Sequence, residues 1–273
     1  MIITPVENHR QREEGAVIYP VYSRRSGGLS VGVNLFPDKK RCNFDCPYCE
    51  VFPFEQDVSF AIEIMKSGLE RALTGVGAPN TAVKDICFSG NGEPTLSPCF
   101  PAALEAAALI RQARVPQAKL VVITNGTGLL CGETFDLLRE AALGPTALDI
   151  WLKLDAGTGS WYKAIDRSAV PFERLTGKIR DFARAAPATI QTMLCAVNQS
   201  PPPEEEAAAW LSLALELAGT RNIRKFQIYG KARSAPLDPL ASALPVAFLE
   251  ERAAVLREAL KTAGLTVAVE VYP

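Results

Sequence analysis

Asp149-Ile150-Trp151-Leu152-Lys153-Leu154-Asp155 is the stretch on which the fold class turns. In an extended chain alternate side chains point to opposite faces. Ile150, Leu152 and Leu154 then share one face, which suits packing against helices, while Asp149, Trp151, Lys153 and Asp155 share the other. A strand buried on both faces normally reads as a continuous apolar run. Charges on its second face therefore need partners or a ligand. One reading is an ion pair between Lys153 and Asp155 at the strand end. The other, which we expect, is a ligand-facing role, because the C-terminal ends of barrel strands host sites.

Strand-like and helix-like segments alternate to either side. Strands are expected over 31–35, 85–89, 119–124, 148–154, 189–195, 226–229 and 265–271. Helices are expected over 60–73, 98–114, 132–143, 172–185, 203–218 and 245–263. Ser59 is the expected N-cap of the first helix, and Ser97 followed by Pro98 the start of the second. Three prolines and then three glutamates open the helix at 203, where acidic residues suit the positive end of the dipole. Gly264 is expected to stop the last helix.

Repeated βα units imply a parallel sheet with helices packed outside it. Six or seven units fall short of a complete eightfold barrel. The expected fold is α/β, a partial, open (β/α)6-type TIM barrel, with a doubly wound sheet as the alternative. The proline-rich stretches 201–203 and 236–245 read as loops, and no linker splits the chain. We therefore expect one domain over 1–273: an N-terminal segment (1–28), a barrel core (29–230) and a C-terminal helix and strand (231–273).

Acidic and basic residues nearly cancel, at a formal charge of −1, and 48% of the 273 residues are apolar. Near-neutrality argues against a domain that clamps a long nucleic acid. Residues 1–12 turn polar too soon for a signal peptide. No apolar run approaches the ~20 residues needed to span a bilayer. The expectation is a soluble, cytoplasmic protein without a membrane partner.

Three of the seven cysteines stand within eight residues, Cys42-Asn43-Phe44-Asp45-Cys46-Pro47-Tyr48-Cys49, at C-x3-C-x2-C spacing. Three such thiolates can hold three corners of a cubane iron–sulfur cluster and leave the fourth iron open. Zinc is the competing reading, but a structural zinc site takes four protein ligands, and the one histidine, His9, lies far upstream. Disulfides fit worse, since seven is an odd number. Cys87 and Cys195 fall within expected strands as small core residues, and Cys99 and Cys131 lie near helix starts. One cluster per chain is expected.

Cys42, Cys46, Tyr48 and Cys49 match C-x3-C-x-aromatic-C, and on this motif the chain resembles the radical S-adenosylmethionine (SAM) enzymes. Ser89-Gly90-Asn91-Gly92-Glu93-Pro94 resembles that family's Gly-Gly-Glu-Pro segment, and Thr124-Asn125-Gly126 ends the next strand in a way frequent among its members. The resemblance runs from about 21 to 229. It implies a barrel of the radical SAM kind in which Cys42, Cys46 and Cys49 ligate a [4Fe–4S] cluster and the open iron binds SAM. It implies that Tyr48 lies near the adenine and that Gly90, Asn91, Gly92 and Glu93 bind the methionyl end. Glycines suit that place, because bare backbone lets a ligand approach closely. Asn125 and Asp155 are candidates for the ribose hydroxyls. Lys153 and Arg233 are candidates for the SAM carboxylate, a charge-assisted contact, and Gln191 for the cavity face or a core hydrogen bond. Lys153, Asp155 and Arg233 are thus the expected catalytic set.

The resemblance further implies an electron donor such as flavodoxin or ferredoxin and reductive cleavage of SAM. The expected substrate is a small molecule; the alternative is a macromolecule, a tRNA base or a protein side chain. The run from Tyr19 to Gly32, which contains Val21-Tyr22-Ser23-Arg24-Arg25, looks like the Pro-Val-Ser-Arg-Arg-x-Gly…Leu-Gly entry segment of radical SAM proteins related to the tRNA wyosine-base synthases, with an extra Tyr22 between Val21 and Ser23. Arg24 and Arg25 are candidates to bind a phosphate or carboxylate. No flavodoxin-like domain or second N-terminal cysteine set accompanies it, so tRNA is not the favoured partner.

Overall fold

A computed structural model describes residues 15–74, 82–233, 235 and 240–273. His9, the polar run 1–12 and positions 236–239 of the expected proline-rich loop lie outside the described residues. In chain order the first elements are β1 (Ile18–Ser23), β2 (Gly28–Val33), α1 (Ile62–Thr74), β3 (Val83–Phe88), α2 (Phe100–Arg114) and β4 (Lys119–Thr124). There follow α3 (Gly132–Leu143), β5 (Leu148–Lys153), α4 (Gly159–Ile165), α5 (Phe172–Ala185) and β6 (Ala188–Val197). The last are α6 (Glu204–Gly219), β7 (Ile223–Gly230), β8 (Ala241–Ala243), α7 (Val246–Thr262) and β9 (Ala268–Tyr272).

These elements fall into two compact units. The first comprises Met1–Cys42, Val51–Thr124 and Glu140–Asp149. Its strands run in the order β1-β2-β3-β4. β2, β3 and β4 are parallel, as βα alternation requires, and β1 pairs antiparallel with β2 in a hairpin. β1 was not expected from the sequence. Its central Pro20 cannot donate to a ladder, and such a strand is tolerated at a sheet edge. Phe88 and Phe100 meet edge to face at 5.5 Å, fixing α2 on β3.

Two helix starts differ from expectation. α1 begins at Ile62, with Met65 N–H bonded to Ala61 O, so Ser59 is not its cap. α2 begins at Phe100 with Cys99 at the N-cap. A 3-10 turn, Pro94–Leu96, ends at Ser97 and delays the helix, and Ser97 Oγ instead accepts from Cys99 N at 3.3 Å.

The second unit comprises Asn43–Glu50, Asn125–Arg139 and Ile150–Pro273. Here β5, β6, β7 and β9 are parallel neighbours, and short β8 pairs antiparallel with β6. Their register places Lys153, Gln191, Gln227 and Glu270 in one row across the four strands. α5 shows how the helices attach. Leu175, Ile179 and Phe182 recur at helical spacing on its buried side, and Phe182 meets Phe135 at 5.3 Å. Burying a ring such as Phe182 contributes about 1.5–3 kcal/mol. α7 stops at the expected place: Gly264, at φ +67°, donates to Lys261 O at 3.0 Å. Among the described residues no helix is long and apolar enough to cross a membrane.

Candidate functional site

In the first unit β3 leads directly into Gly90-Asn91-Gly92-Glu93. This segment forms a short parallel ladder with the residue just before Cys42. Arg41 N–H donates to Asn91 O at 3.0 Å, and Glu93 N–H donates to Arg41 O at 2.9 Å. A Cβ on Gly92 would lie 1.8 Å from Arg41 O. Gly90 is similarly enclosed, since a Cβ there would lie 2.8 Å from Asn34 Oδ1. Asn34, with no exposed surface, accepts from Asn91 N at 3.1 Å and Phe36 N at 3.2 Å, and donates to Ala16 O at 3.0 Å. The space beside both glycines is therefore taken by the protein itself, which is a reason for glycine that the sequence does not reveal.

Glu93 is buried and acts as a local cap. One carboxylate oxygen accepts from Thr95 N at 3.1 Å, Thr95 Oγ1 at 2.7 Å and Thr124 Oγ1 at 2.7 Å. Asn91 is also buried, and its amide donates to Phe36 O at 3.1 Å.

In the second unit the loop 43–50 is fixed by side chains from several elements. Asn43 Oδ1 accepts from Asn125 Nδ2 at 2.9 Å and Thr127 Oγ1 at 3.0 Å. Asp45 N–H donates to Asp166 O at 2.9 Å, and Ser168 Oγ donates to Asn43 O at 2.9 Å. Cys49 N–H closes a turn onto Cys46 O at 3.0 Å. Tyr48 donates its hydroxyl hydrogen to Asp155, and Lys153 donates to both. Lys153 Nζ also stands 4.8 Å from the Tyr48 ring centre. Asp155 in turn accepts from Met193 N at 2.9 Å. The charged pair is deeply set, with side-chain exposures of 14% for Lys153 and 0% for Asp155.

The titratable groups here disturb one another. Burial pushes the Cys46 thiol well above its ordinary value, opposed by the Lys153 charge and reinforced by Asp166 and Asp155. Burial, then the Asp155 charge, pushes Tyr48 well up. The same two causes in the same order raise Asp166, which accepts from Cys46 Sγ at 3.8 Å. Burial pulls the Lys153 ammonium down, but Asp155 and its other negative neighbours outweigh it, and the net direction is upward.

The structure thus joins Tyr48, Lys153 and Asp155, and separately joins Asn125 to the cysteine loop through Asn43. The ion pair that the sequence offered as its plainer reading of β5 is present, and Tyr48 is added to it. Arg233 is engaged elsewhere: one guanidinium nitrogen donates to both Glu50 oxygens at 3.1 and 3.0 Å, beside Cys49. Gln191 makes a core hydrogen bond: it is buried, lies in register with Lys153 and donates to Gln227 Oε1 at 2.7 Å. Cys87 and Cys195 are buried strand residues, and Cys99 and Cys131 precede α2 and α3. Arg24 and Arg25 occupy the β1–β2 turn, beside the start of β2 and away from the C-terminal end of β3.

Asn34, Asn43, Glu50 and Asp166 were missed from sequence. Only Glu50 carried a signal, an acid directly after the last cysteine. Cys42 is exposed and Cys46 and Cys49 are half-buried. Among the described residues no three Cys, His, Asp or Glu side chains converge as a ready metal site.

No family model matches the chain. A UPF0026 protein of Helicobacter pylori (strain J99 / ATCC 700824) is 30% identical over 167 residues, which are 60% of this chain and 49% of that protein. Its counterpart in strain ATCC 700392 / 26695 is 29% identical over 173 residues, 62% and 51% of the two chains. The chain spans about half the length of the curated relatives it matches. Among solved structures, Streptococcus suis SuiB bound to precursor peptide SuiA superposes with a TM-score of 0.66 at 14% identity, over 91% of this chain and 50% of SuiB. A radical SAM methyltransferase from Sphaerobacter thermophilus gives 0.65 at 14% identity, over 93% and 68%. At such identity the likeness is one of fold. The α/β partial-barrel fold expected from the sequence is the fold this chain has.

Proposed function

We propose that this chain is a radical SAM enzyme, that Cys42, Cys46 and Cys49 hold a [4Fe–4S] cluster, and that its substrate is a macromolecule, with a peptide the first class to test. The reading rests on one observation above others: each flank of the cysteine loop is tied to the C-terminal end of a strand in its own unit. Arg41 is laddered to Asn91–Glu93, and Tyr48 is bonded to Lys153 and Asp155. The fold likeness to a radical SAM methyltransferase supports it, and SuiB, solved with a precursor peptide, supports the substrate class. A small-molecule substrate is the second reading, favoured by the formal charge of −1. For tRNA, the Arg24–Arg25 turn would have to act from the end of β2 opposite the glycine-rich segment.

The residues fit the group. Three thiols stand within eight residues, on a loop whose backbone is held at Arg41 and Asp45 and whose Tyr48 side chain is held by Asp155. When bound, a cluster of this kind with SAM supplies one-electron reductive cleavage of a sulfonium, at potentials reaching roughly −700 mV, and then hydrogen abstraction from a substrate. The chain does the rest. Burial holds Cys46 as the thiol and Lys153 partly offsets that hold; ligation takes the thiolate. Asp155 and Lys153 pin the Tyr48 hydroxyl, which sets the ring plane one residue before Cys49. Asn125, Gln191 and Gly90–Glu93 remain the proposed binding residues, and a flavodoxin or ferredoxin the proposed donor. We treat residues 1–273 as one catalytic domain.

Anaerobic reconstitution tests this. The protein should be brown, hold about four irons per chain, and release a nucleoside product from SAM when reduced. Cys46→Ala should lose iron and product while keeping its far-UV spectrum. Tightly bound zinc in a colourless sample would overturn the assignment. Copurifying RNA, bound less tightly as salt rises, would move the substrate from peptide to tRNA.

A further inference from the structure

We infer that the second unit carries a separate binding cleft for a small organic cation with an apolar body. A cleft of about 340 Å3 is lined by residues of α4, α6, α7, β6 and β7 and by Asp155, which it shares with the Lys153–Tyr48 cluster. That volume suits a small ligand. Thr192, Leu194 and Ile228 line it, and strand alternation puts them on the face opposite Gln191 and Gln227. It is thus a different face from the one that carries Lys153.

The walls specify the occupant. Trp161 and Trp210 give two aromatic surfaces, and a third ring, Phe248, already carries the Arg252 guanidinium 4.9 Å from its centre. The neutral polar groups are already used: Thr192 Oγ1 and Trp210 Nε1 both donate to Leu154 O, at 2.9 and 3.1 Å. The charges are unbalanced. Asp155, Glu204, Glu206 and Glu251 line the cleft against one cation, Arg252. Arg252 is already forked onto Glu204 at 3.1 and 2.5 Å. Lys153 answers Asp155. Glu206, held by Gly157 N and Thr158 Oγ1 at 2.5 Å each, and exposed Glu251, whose charge also acts on Arg252, make no ion pair among the described residues. An aromatic wall with an acidic rim attracts an amine through both the ring faces and the carboxylates. The same rim repels a carboxylate of equal size.

Phenethylamine and phenylacetate, which share a ring and differ in charge, are the probes. Two of the three tryptophans line the cleft, so quenching of intrinsic fluorescence reports occupancy of the full chain. Phenethylamine should bind at least about tenfold tighter than phenylacetate, the scale of one favourable cation–ring contact. Glu251→Arg should abolish most of that preference, and Ala207→Phe, which fills the cleft, should abolish saturable binding with an unchanged melting temperature. Equal affinities, a preference that survives Glu251→Arg, or no saturable binding by either probe would overturn the inference. Cys46→Ala should bind phenethylamine as the wild type does, so failure here and failure of the cluster assignment are distinguishable.

Discussion

The two anchors of the cysteine loop are built from different materials. At Arg41 the hold is backbone to backbone, and it depends on an atom that is missing, the Cβ of Gly92. At Tyr48 the hold is a buried cluster of charged and phenolic side chains. The first is rigid and indifferent to pH. The second is strong only while both charges are present, because a buried ion without its partner is costly. The cysteine loop is therefore fixed on one side by shape and on the other by electrostatics.

Substitutions can break or sharpen that contrast. The largest effect is expected for Asp155→Ala, which strands the Lys153 ammonium and should lose about 3–5 kcal/mol in urea unfolding. Adding Lys153→Met should recover part of that loss, and no recovery would show the charge pair to be irrelevant. On the other side, Gly92→Ala should lose about 3 kcal/mol by overpacking against Arg41. Gly132→Ala, where no atom lies within 4 Å of the new Cβ, should instead stabilise by about 0.4–1 kcal/mol. Similar losses at the two glycines would mean that the Arg41 contact is not the cause.

The next test is a pH profile. Burial raises the Glu206 carboxyl above its ordinary value, against the pull of Thr158 and Gly157. A raised carboxyl favours the folded state below its unfolded-state pKa, and that contribution is lost as pH rises through the folded-state value. The stability advantage of the wild type over Glu206→Gln should therefore shrink as pH rises above the unfolded-state value of about 4.3, measured by urea titration at each pH. The smallest effect belongs to the part-exposed Glu50–Arg233 pair. Arg233→Lys should cost less than about 1 kcal/mol, yet it should speed proteolysis of the metal-free loop if the pair restrains Cys49.

Much of this architecture is legible in the sequence. The spans 119–124, 132–143 and 172–185 coincide with β4, α3 and α5, the strand as a short continuous apolar run and the two helices by their period. β1, α4 and β8 were missed. Pro20 masks the first, and the other two, of seven and three residues, are too short to show a period. Ser59 and Ser97 failed as caps because a cap is a geometry, and a serine near a helix start is only an opportunity for one. In the site, Lys153 and Asp155 were legible as charges on a strand face that ought to be apolar. Their partner Tyr48, 105 and 107 residues away, was not legible as such.

The sequence by itself determined the alternation of strands and helices, the trio of thiols at C-x3-C-x2-C, and the glycines after β3. All are local patterns, and local sterics and spacing suffice to read them. Only the tertiary structure decided that Gly92 makes room for Arg41, that Arg233 grips Glu50 across 183 residues, and that Asn43 meets Asn125 across 82. Those are choices among many partners of equal chemistry, and distance in space, which a linear string does not record, makes them.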